Sequence, residues 1–494
     1  MTRDRLPEQA ALLNGAELLL APHDPARPAL ACGTQSMTYG ELRERVARAA
    51  GAWRALGLRP GGRVAVKLTD GFDWVVSWLG VLWAGGVAVG VNPRIPLQEW
   101  HYILDEARFE LIVAEAADDV ASTFRGRVIT LDEGRRSVVA AQPVEPLRVA
   151  PDTPAFWAQS SGTSGRPKAV MHAHRVFPGI AQVSTERLGI SAQDRLFASS
   201  RLFFTYPLTN VLLAGLRVGA TVLLDPQWPT AESVAATAAQ LRPSVLFSVP
   251  SLYRSMLHEG LGDGLRAAGV RCCVSAGEAL PATLRGAWQQ RTGLPMIDGY
   301  GASETLVLVL TAVPGDEGLK PSPGVQVRPL DPAAADAGGV TRLCVRVSTL
   351  ALGYHDRPAA QADSFRDGEF CPADLFVRSP DGGWRFAGRE DSLVKIRGRW
   401  VDLTELGERL AASLPGVREA AAVRVPDADG VDALAFFFAA DDAGAVRGPL
   451  QERIAALPPH QRPAWVVPVE ALPRTATGKL LRRQLVERLA RTGA

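Results

Sequence analysis

The sequence predicts an α/β protein of more than one domain, on two observations. Short apolar runs alternate with longer amphipathic segments from about residue 38 to 310, and the pattern changes twice after that. Segments such as 38–56 and 233–241 have helical periodicity. The apolar runs have the length of buried strands, and they lie at 63–68, 87–91, 111–114, 155–159, 221–224, 245–249 and 272–276. This alternation favours largely parallel sheets covered by helices, in two α/β subdomains.

The second half of the chain differs in composition from the first. From about residue 315 to 388 glycine and proline become frequent, and short strands are predicted at 343–347 and 384–387. The chain is then polar, before a β-α-β-β pattern predicts strands that lie at 417–425, 433–440 and 465–469. We therefore predict a large N-terminal domain, 1–390, with two α/β subdomains and a small β-rich subdomain. A small α+β C-terminal domain, 391–494, follows a hinge at Asp391.

Composition excludes several classes of function. Hydrophobic residues make up 47% and charged residues 21%, and the net charge of +2 gives no reason to expect nucleic acid or an anionic membrane as a partner. The uncharged stretch 74–91 is interrupted by Gly85 and Gly86, which predicts a buried helix and a strand instead of a membrane span. The five cysteines are odd in number and form no CxxC pair, so we expect the reducing cytoplasm and neither a disulfide scaffold nor a zinc site.

A loop rich in glycine and hydroxyl groups follows the strand predicted at 155–159. It reads SSGTSGRPK over 160–168, and the chemistry-bearing residues are Ser160, Ser161, Gly162, Thr163, Ser164, Gly165 and Lys168. Glycine lets the backbone approach an anion, and successive N–H groups can form an anion-binding nest. A flexible hairpin is the alternative, and the spacing is not that of a Walker A loop.

This loop resembles the signature loop of the adenylate-forming superfamily, which contains acyl-CoA synthetases, adenylation domains and luciferases. The resemblance extends through further motifs in the expected order, from about residue 38 to 484. It implies that the loop holds the β- and γ-phosphates of ATP. It also implies an enzyme that uses ATP and Mg²⁺ to activate a carboxylic acid as an acyl-adenylate.

Four more segments carry nucleotide-binding residues by this resemblance. DGYGASE at 298–304 resembles the family's aromatic–Gly–x–Thr–Glu motif, so that Tyr300 would stack on adenine, Ser303 contact the α-phosphate and Glu304 hold Mg²⁺. SAGE at 275–278 resembles the strand end beside adenine. Asp374 would bind the ribose, although Pro-Ala precedes it where the family has Thr-Gly. Arg389 would contact the ribose or a phosphate. The resulting set is Glu278, Asp298, Tyr300, Gly301, Ser303, Glu304, Asp374 and Arg389.

The C-terminal domain contributes two lysines by the same resemblance. Lys479, in PRTATGK at 473–479, would reach the carboxylate and the α-phosphate during adenylation. The family rotates this domain about the hinge at Asp391, and Lys395 and Gly398 would then face the active site for thioester formation. A solvated basic surface is the alternative interpretation of Lys479, because two arginines follow it.

The segment RLFFTYP at 201–207 resembles the aromatic gate and acid-binding segment of the family. The sequence of this segment, together with SAGEAL at 275–280, is most similar to that of benzoate-CoA ligases. The aspartate that binds an α-ammonium group in amino-acid-activating members is missing, so an amino acid substrate is not expected. At position 307 this chain has valine, where we associate a histidine with benzoate-CoA ligases. The implied acid pocket is apolar, with Phe204 at the gate, and is lined by Thr205, Tyr206, Ala276, Gly301, Val307 and Leu308.

Three functions stay open on the sequence. The first is an aryl- or acyl-CoA ligase that transfers the acyl group to coenzyme A. The second transfers it to a carrier-protein pantetheine or a nitrogen nucleophile, and the third is a catalytically silent binding protein on the same scaffold. The sequence does not specify the acid or the oligomeric state, for which a homodimer is one option.

Overall fold

The computed structural model describes residues 11–116, 124–161, 167–390, 392–396, 399–426, 431–474 and 480–491. It has the predicted α/β class, with helices packed on largely parallel sheets. The helices in these ranges, apart from single-turn pieces, are Gly15–Leu20, Tyr39–Ala55, Phe72–Trp83, Leu97–Ala107, Leu131–Ala140, Gln182–Glu186, Leu208–Leu213, Ala214–Val218, Ala231–Leu241, Pro250–His258, Ala282–Thr292, Pro332–Asp336, Pro358–Ser364, Leu403–Ala412, Ala443–Ala456 and Arg482–Arg491.

One sheet of the N-terminal part carries the phosphate-loop flanks. In spatial order its strands are Gly353–Tyr354, Pro167–Ala173, Pro154–Ser161, Val87–Gly90, Arg63–Lys67, Leu111–Ala114 and Arg127–Thr130. The pairs from Pro154–Ser161 onwards are parallel, as predicted, but Pro154–Ser161 and Pro167–Ala173 are antiparallel. The loop at 162–166 therefore joins the two strands of a hairpin.

A second sheet carries the predicted adenine- and acid-binding segments. In spatial order its strands are Lys320–Pro321, Leu310–Ala312, Met296–Tyr300, Cys272–Ser275, Val245–Ser248, Arg195–Ala198, Thr221–Leu224, Pro28–Cys32 and Gln35–Thr38. The strands from Met296–Tyr300 to Pro28–Cys32 run parallel. Their carboxyl ends therefore meet at one edge of the sheet, which is where ligands bind in open α/β sheets.

The two sheets share one large apolar core. Helix Phe72–Trp83 lies at its centre, with Trp74 and Trp78 fully buried and stacked on each other. The prediction of a buried helix and a strand in 74–91 is confirmed, because Val87–Gly90 follows that helix. In the part of the chain that the structure describes, every helix is too short or too polar to cross a membrane.

The predicted β-rich subdomain is a mainly antiparallel sheet. Its strands are Gln326–Pro329, Thr341–Arg346, Phe365–Arg366, Glu369–Phe370, Asp374–Arg378 and Trp384–Arg389. Here the expectation of no disulfide is wrong, because Cys344 and Cys371 are bonded. Val345 pairs with Phe370 across antiparallel strands, so the two cysteines become neighbours although they are 27 positions apart in the chain. Sequence spacing alone does not reveal such a pairing.

The C-terminal part has cores of its own. Two hydrophobic clusters there contain only residues from Val394 onwards. Its strands are Leu393–Ile396, Arg399–Asp402, Val417–Pro426, Asp432–Ala440 and Trp465–Pro468. The strands predicted at 417–425, 433–440 and 465–469 are thus present, whereas the hinge at Asp391 lies outside the described residues. The division into domains 1–390 and 391–494 stays a prediction.

Candidate nucleotide and acid site

A cluster of three side chains joins the second sheet to the β-rich subdomain. Tyr300 ends strand Met296–Tyr300, and its hydroxyl donates a hydrogen bond of 2.5 Å to Oδ2 of Asp374. Oδ1 of Asp374 lies 3.1 Å from Nη1 of Arg389, and the two residues are register partners. The structure therefore brings together the three residues predicted to bind adenine and ribose.

The loop before Asp374 is held despite its unusual Pro-Ala sequence. Arg342 donates from Nε to the carbonyl oxygen of Pro372 at 2.8 Å and from Nη2 to that of Cys371. The amide of Glu390 donates to the carbonyl oxygen of Ala373 at 2.8 Å. These contacts fix the backbone of the three residues before Asp374, so Asp374 keeps a defined position although the family's Thr-Gly is absent.

Glu304 lies buried behind this cluster, with only 6% of its surface exposed. The hydroxyl of Tyr354 donates to its Oε1 at 2.6 Å, and burial raises the pKa of the carboxyl. Lys168, at the return from the loop at 162–166, places its ammonium 5.1 Å from the centroid of the Tyr354 ring. A buried carboxylate of this kind fits Mg²⁺, which prefers oxygen ligands and is commonly held by one or two carboxylates together with phosphates.

The phosphate loop itself is described only at its ends. Ser160 pairs with Lys168 across the hairpin, and Ser161 pairs with Pro167. The side chain of Ser161 and the predicted residues Gly162, Thr163, Ser164 and Gly165 lie outside the described residues.

Ser303 connects the nucleotide and acid segments. Its hydroxyl oxygen lies 2.9 Å from that of Thr205, and its carbonyl oxygen accepts a hydrogen bond of 2.9 Å from Nε2 of His172. His172 is fully buried, and burial lowers its pKa to about 3. The ring is therefore neutral, with its proton on Nε2.

The predicted acid-binding segment is anchored from the first sheet. The amide of Leu202 donates to Oδ2 of Asp70 at 3.0 Å, and Nη1 of Arg201 lies 3.9 Å from the same oxygen. Both charged residues are buried, and burial raises the pKa of Asp70 to about 7. Phe204 then caps a short helical turn that begins at Thr205.

The walls of the predicted acid pocket are apolar. Ala276, Val307 and Leu308 are each at most 3% exposed. The hydroxyl of Tyr206 donates to the carbonyl oxygen of Val274 at 3.1 Å, and its ring meets Phe247 edge-on. A Cβ on Gly301 would lie 2.7 Å from the carbonyl oxygen of Val307, so only glycine fits there without a backbone shift.

Comparison with known proteins identifies the family. The sequence model described as AMP-binding enzyme matches residues 20–355, and the one described as AMP-binding enzyme C-terminal domain matches 408–479. The chain belongs to the AMP-binding enzyme family. The predicted resemblance to the adenylate-forming superfamily is thereby confirmed.

Relatives of this AMP-binding enzyme include ligases of aromatic acids. It is 36% identical to a 3-hydroxybenzoate–CoA/4-hydroxybenzoate–CoA ligase of Thauera aromatica, over 94% of both chains. It is 32% identical to a 4-hydroxybenzoate–CoA/benzoate–CoA ligase of Rhodopseudomonas palustris, over 92% of this chain and 89% of the relative. An anthranilate CoA ligase crystallised with anthranoyl-AMP superposes over the whole of both chains with a TM-score of 0.88 and 27% identity. The predicted similarity to benzoate-CoA ligases is confirmed.

Two predicted nucleotide residues of this AMP-binding enzyme lie apart from the Tyr300 cluster. Glu278 is exposed, and its carboxylate accepts from the amide and hydroxyl of Ser251 at 3.0 and 2.9 Å, at the start of helix Pro250–His258. Asp298 is partly buried on strand Met296–Tyr300, and burial raises its pKa to about 7. Their predicted roles, like those of the other site residues, stay predictions.

The C-terminal site residues are described least. Lys395 lies in strand Leu393–Ile396 opposite Trp400, while its side chain lies outside the described residues. Asp391, Gly398 and Lys479 also lie outside them. Two features of this AMP-binding enzyme were not predicted from the sequence, namely the contact of Tyr354 with Glu304 and that of His172 with Ser303. The pair of histidines at 172 and 174 was a visible signal, but Tyr354 lies in no motif that pattern alone singles out.

Proposed function

We propose that the protein activates an aromatic carboxylic acid with ATP as an acyl-adenylate and then transfers the acyl group to the thiol of coenzyme A. The observation that carries the proposal is the hydroxyl pair of Thr205 and Ser303. It joins the predicted acid-binding segment to the segment that contains Tyr300 and Glu304, so the regions predicted to bind the two reactants are adjacent. Binding both in one site supplies the proximity that a reaction of two substrates needs.

The acid is held by its apolar body. Ala276, Val307 and Leu308 offer no charge to a ring, whereas Thr205 places a hydroxyl at the end of the pocket nearest Ser303. The carboxylate is therefore expected to point towards Ser303 and the α-phosphate. One carboxylate oxygen attacks the α-phosphorus, pyrophosphate leaves, and no covalent bond to the enzyme forms.

The nucleotide is held at three places. Tyr300 offers an aromatic face, Asp374 accepts from the ribose hydroxyls, and Arg389 orients the Asp374 carboxylate through its ion pair. Glu304 would hold Mg²⁺, which neutralises phosphate charge when it is bound. Lys168 and the loop at 162–166 hold the β- and γ-phosphates.

The C-terminal domain, 391–494, supplies different residues to the two steps. Lys479 brings a positive charge to the α-phosphate and the carboxylate during adenylation, an electrostatic contribution to the transition state. The domain then turns about Asp391 and presents Lys395 and Gly398 for thioester formation. Such rearrangements act as gates between steps.

Coenzyme A is favoured as the acceptor over a carrier protein. Relatives over nearly the full chain are named as CoA ligases of hydroxybenzoates, benzoate and anthranilate. Since ATP and coenzyme A are both cytoplasmic substrates, we place the reaction in the cytoplasm.

The test is a pyrophosphate-exchange screen over benzoate, hydroxybenzoates, aminobenzoates, heteroaryl acids and short aliphatic acids. We expect exchange with at least one aromatic acid, and with that acid and coenzyme A the loss of free thiol. Lys479→Ala should lower exchange about 10²–10³-fold, as loss of a single transition-state contact commonly does. Lys395→Ala should largely retain exchange and impair thioester formation.

Two outcomes would contradict the proposal. Exchange without consumption of coenzyme A, but with loading of a pantetheinylated carrier protein, would assign the acceptor to the carrier. No exchange with any acid, despite ATP binding measured by calorimetry, would favour a silent binding protein.

A further inference from the structure

Tyr354 stands where three segments of the nucleotide site meet. It lies in the short strand Gly353–Tyr354, which pairs antiparallel with Pro167–Ala173, the strand that returns from the phosphate loop. The residues on either side are fixed by backbone hydrogen bonds, from Leu352 to Met171 at 2.8 Å and from His355 to Ala169 at 3.0 Å. The position of this tyrosine is therefore coupled to the strand that carries Lys168.

The same short strand is tied to the Glu304 segment. The amide of Ala351 donates to the carbonyl oxygen of Glu304 at 2.8 Å. Before Tyr354, Gly353 has a φ of 131°, a conformation that favours glycine. Oε1 of Gln361 accepts from the Tyr354 amide at 2.9 Å and lies 2.2 Å from where a Gly353 Cβ would be. The backbone thus leaves Tyr354 little freedom.

The side chain of Tyr354 contacts two charged residues of the site at once, Glu304 and Lys168. Its hydroxyl donates to Oε1 of Glu304 at 2.6 Å, and both residues are at least 92% buried. Its ring lies beneath the Lys168 ammonium, 5.1 Å from the ring centroid, within the range of a cation–π contact. Phe365 packs edge-on against the ring at 5.4 Å and holds its plane.

The hydrogen bond from Tyr354 engages only one of the two carboxylate oxygens of Glu304. Oε1 is occupied by the phenol, which fixes the rotation of the carboxylate about its last bond. Oε2 is then oriented by the same contact, because the two oxygens share one plane. The same tyrosine thus contacts the Glu304 carboxylate through its hydroxyl and the Lys168 ammonium through its ring.

We propose that Tyr354 is a positioning residue for the metal–nucleotide complex: its hydroxyl orients Glu304 towards Mg²⁺ and its ring orients Lys168 towards the phosphates of ATP. The inference rests on the proposed function, since it assumes that Mg·ATP binds here. It assigns separate tasks to the hydroxyl and the ring, which two substitutions can separate. Tyr354→Phe removes only the hydroxyl, and Tyr354→Leu removes both.

The test is calorimetric titration of the full-length protein with ATP, in the presence of Mg²⁺ and in the presence of EDTA, without any acid. Tyr354→Phe should weaken binding of ATP with Mg²⁺ about tenfold, as expected for loss of a hydrogen bond to a charged group, and binding in EDTA less than about twofold. Tyr354→Leu should weaken both. Tyr39→Phe is the matched control, because that buried phenol donates to the carbonyl oxygen of Ala220 at 2.8 Å, away from Lys168 and Glu304.

The outcomes separate this inference from the proposed function. If the unmodified protein binds Mg·ATP and Tyr354→Phe reduces both titrations equally, or neither, the inference is wrong and the proposed function stands. If the unmodified protein does not bind Mg·ATP, both fail. Should Tyr354→Phe unfold, Tyr354→His keeps an aromatic ring but is too short to place a donor where the phenol hydroxyl lies, and its ratio of affinities with and without Mg²⁺ must fall by at least about threefold to support the inference.

Discussion

The hydroxyl oxygens of Thr205 and Ser303 lie 2.9 Å apart, and this contact joins the predicted acid-binding segment to the predicted α-phosphate segment. The two residues are 98 positions apart in the chain. Each comes from a different part of the second sheet's carboxyl edge. The contact therefore links the predicted acid-binding segment directly to the residue predicted to contact the α-phosphate.

Replacing Thr205 by valine should impair adenylation through Ser303. We expect kcat/KM for the acid in pyrophosphate exchange to fall roughly 3- to 10-fold, the usual effect of losing one hydrogen bond between neutral groups. Thr205→Ser keeps the hydroxyl and should stay within about twofold. In the Ser303→Ala background Thr205→Val should add little, because the partner is already gone. Full additivity of the two losses would contradict the link.

Removing the charge of Asp374 should reduce discrimination among riboses. Asp374→Asn keeps an acceptor for the Tyr300 hydroxyl but loses the ion pair with Arg389 at 3.1 Å. We expect ATP affinity to fall about 10- to 100-fold, as for a hydrogen bond to a charged group. Affinity for 2′-deoxy-ATP should fall much less, since one of its two ribose contacts is already missing.

The control for that measurement is another carboxylate paired with an arginine. Asp194 lies 3.0 Å from Nε of Arg271, outside the Tyr300 cluster. Asp194→Asn should leave the ratio of affinities for ATP and 2′-deoxy-ATP unchanged. Equal losses for both nucleotides in Asp374→Asn would argue against a ribose contact.

Burial of His172 as a neutral ring should make the protein less stable in acid. The pKa is about 3 in the folded state and 6.5 in the reference state, so the unfolded chain binds more protons between these values. The free energy of unfolding should therefore fall as pH drops from 7 to 5, by about 2 kcal/mol from this residue. His172→Gln can still donate to the Ser303 carbonyl and should flatten that dependence in urea titrations. His258→Gln, at an exposed position, should not.

Many of the parallel strands could be predicted because a strand buried on both faces is a continuous apolar run in the sequence. The strands at Leu111–Ala114 and Thr221–Leu224 have the predicted bounds. Four parallel strands were not predicted, namely Pro28–Cys32, Arg127–Thr130, Arg195–Ala198 and Met296–Tyr300, and Arg195–Ala198 lies within the second sheet. Strand Arg195–Ala198 begins with an arginine, which donates to the carbonyl oxygen of Leu241 at 2.7 Å, so only the short run Leu196–Ala198 is apolar and its pattern is weak.

The site was predicted as a set of residues but not as a set of contacts. Tyr300 and Asp374 are 74 positions apart, and only the register of the β-rich sheet places Asp374 opposite Arg389 and near Tyr300. The role of Tyr354 depends in the same way on its pairing with the strand after the phosphate loop. Non-local contacts of this kind leave no periodicity or spacing in the sequence.

Replacing Gly301 by alanine should impair the use of the acid more than the binding of ATP. A Cβ at position 301 would lie 2.7 Å from the carbonyl oxygen of Val307 and 3.4 Å from the Cα of Leu308. Because these are backbone atoms, Gly301→Ala should displace the wall formed by Val307 and Leu308. Overpacking of this size costs about 1–3 kcal/mol, so kcat/KM for the acid should fall about 10- to 100-fold. Affinity for ATP should change less, and Gly286→Ala, which meets no atom within 4 Å, should change neither. A Gly301→Ala variant with unaltered acid kinetics would show that the acid does not bind beside this turn.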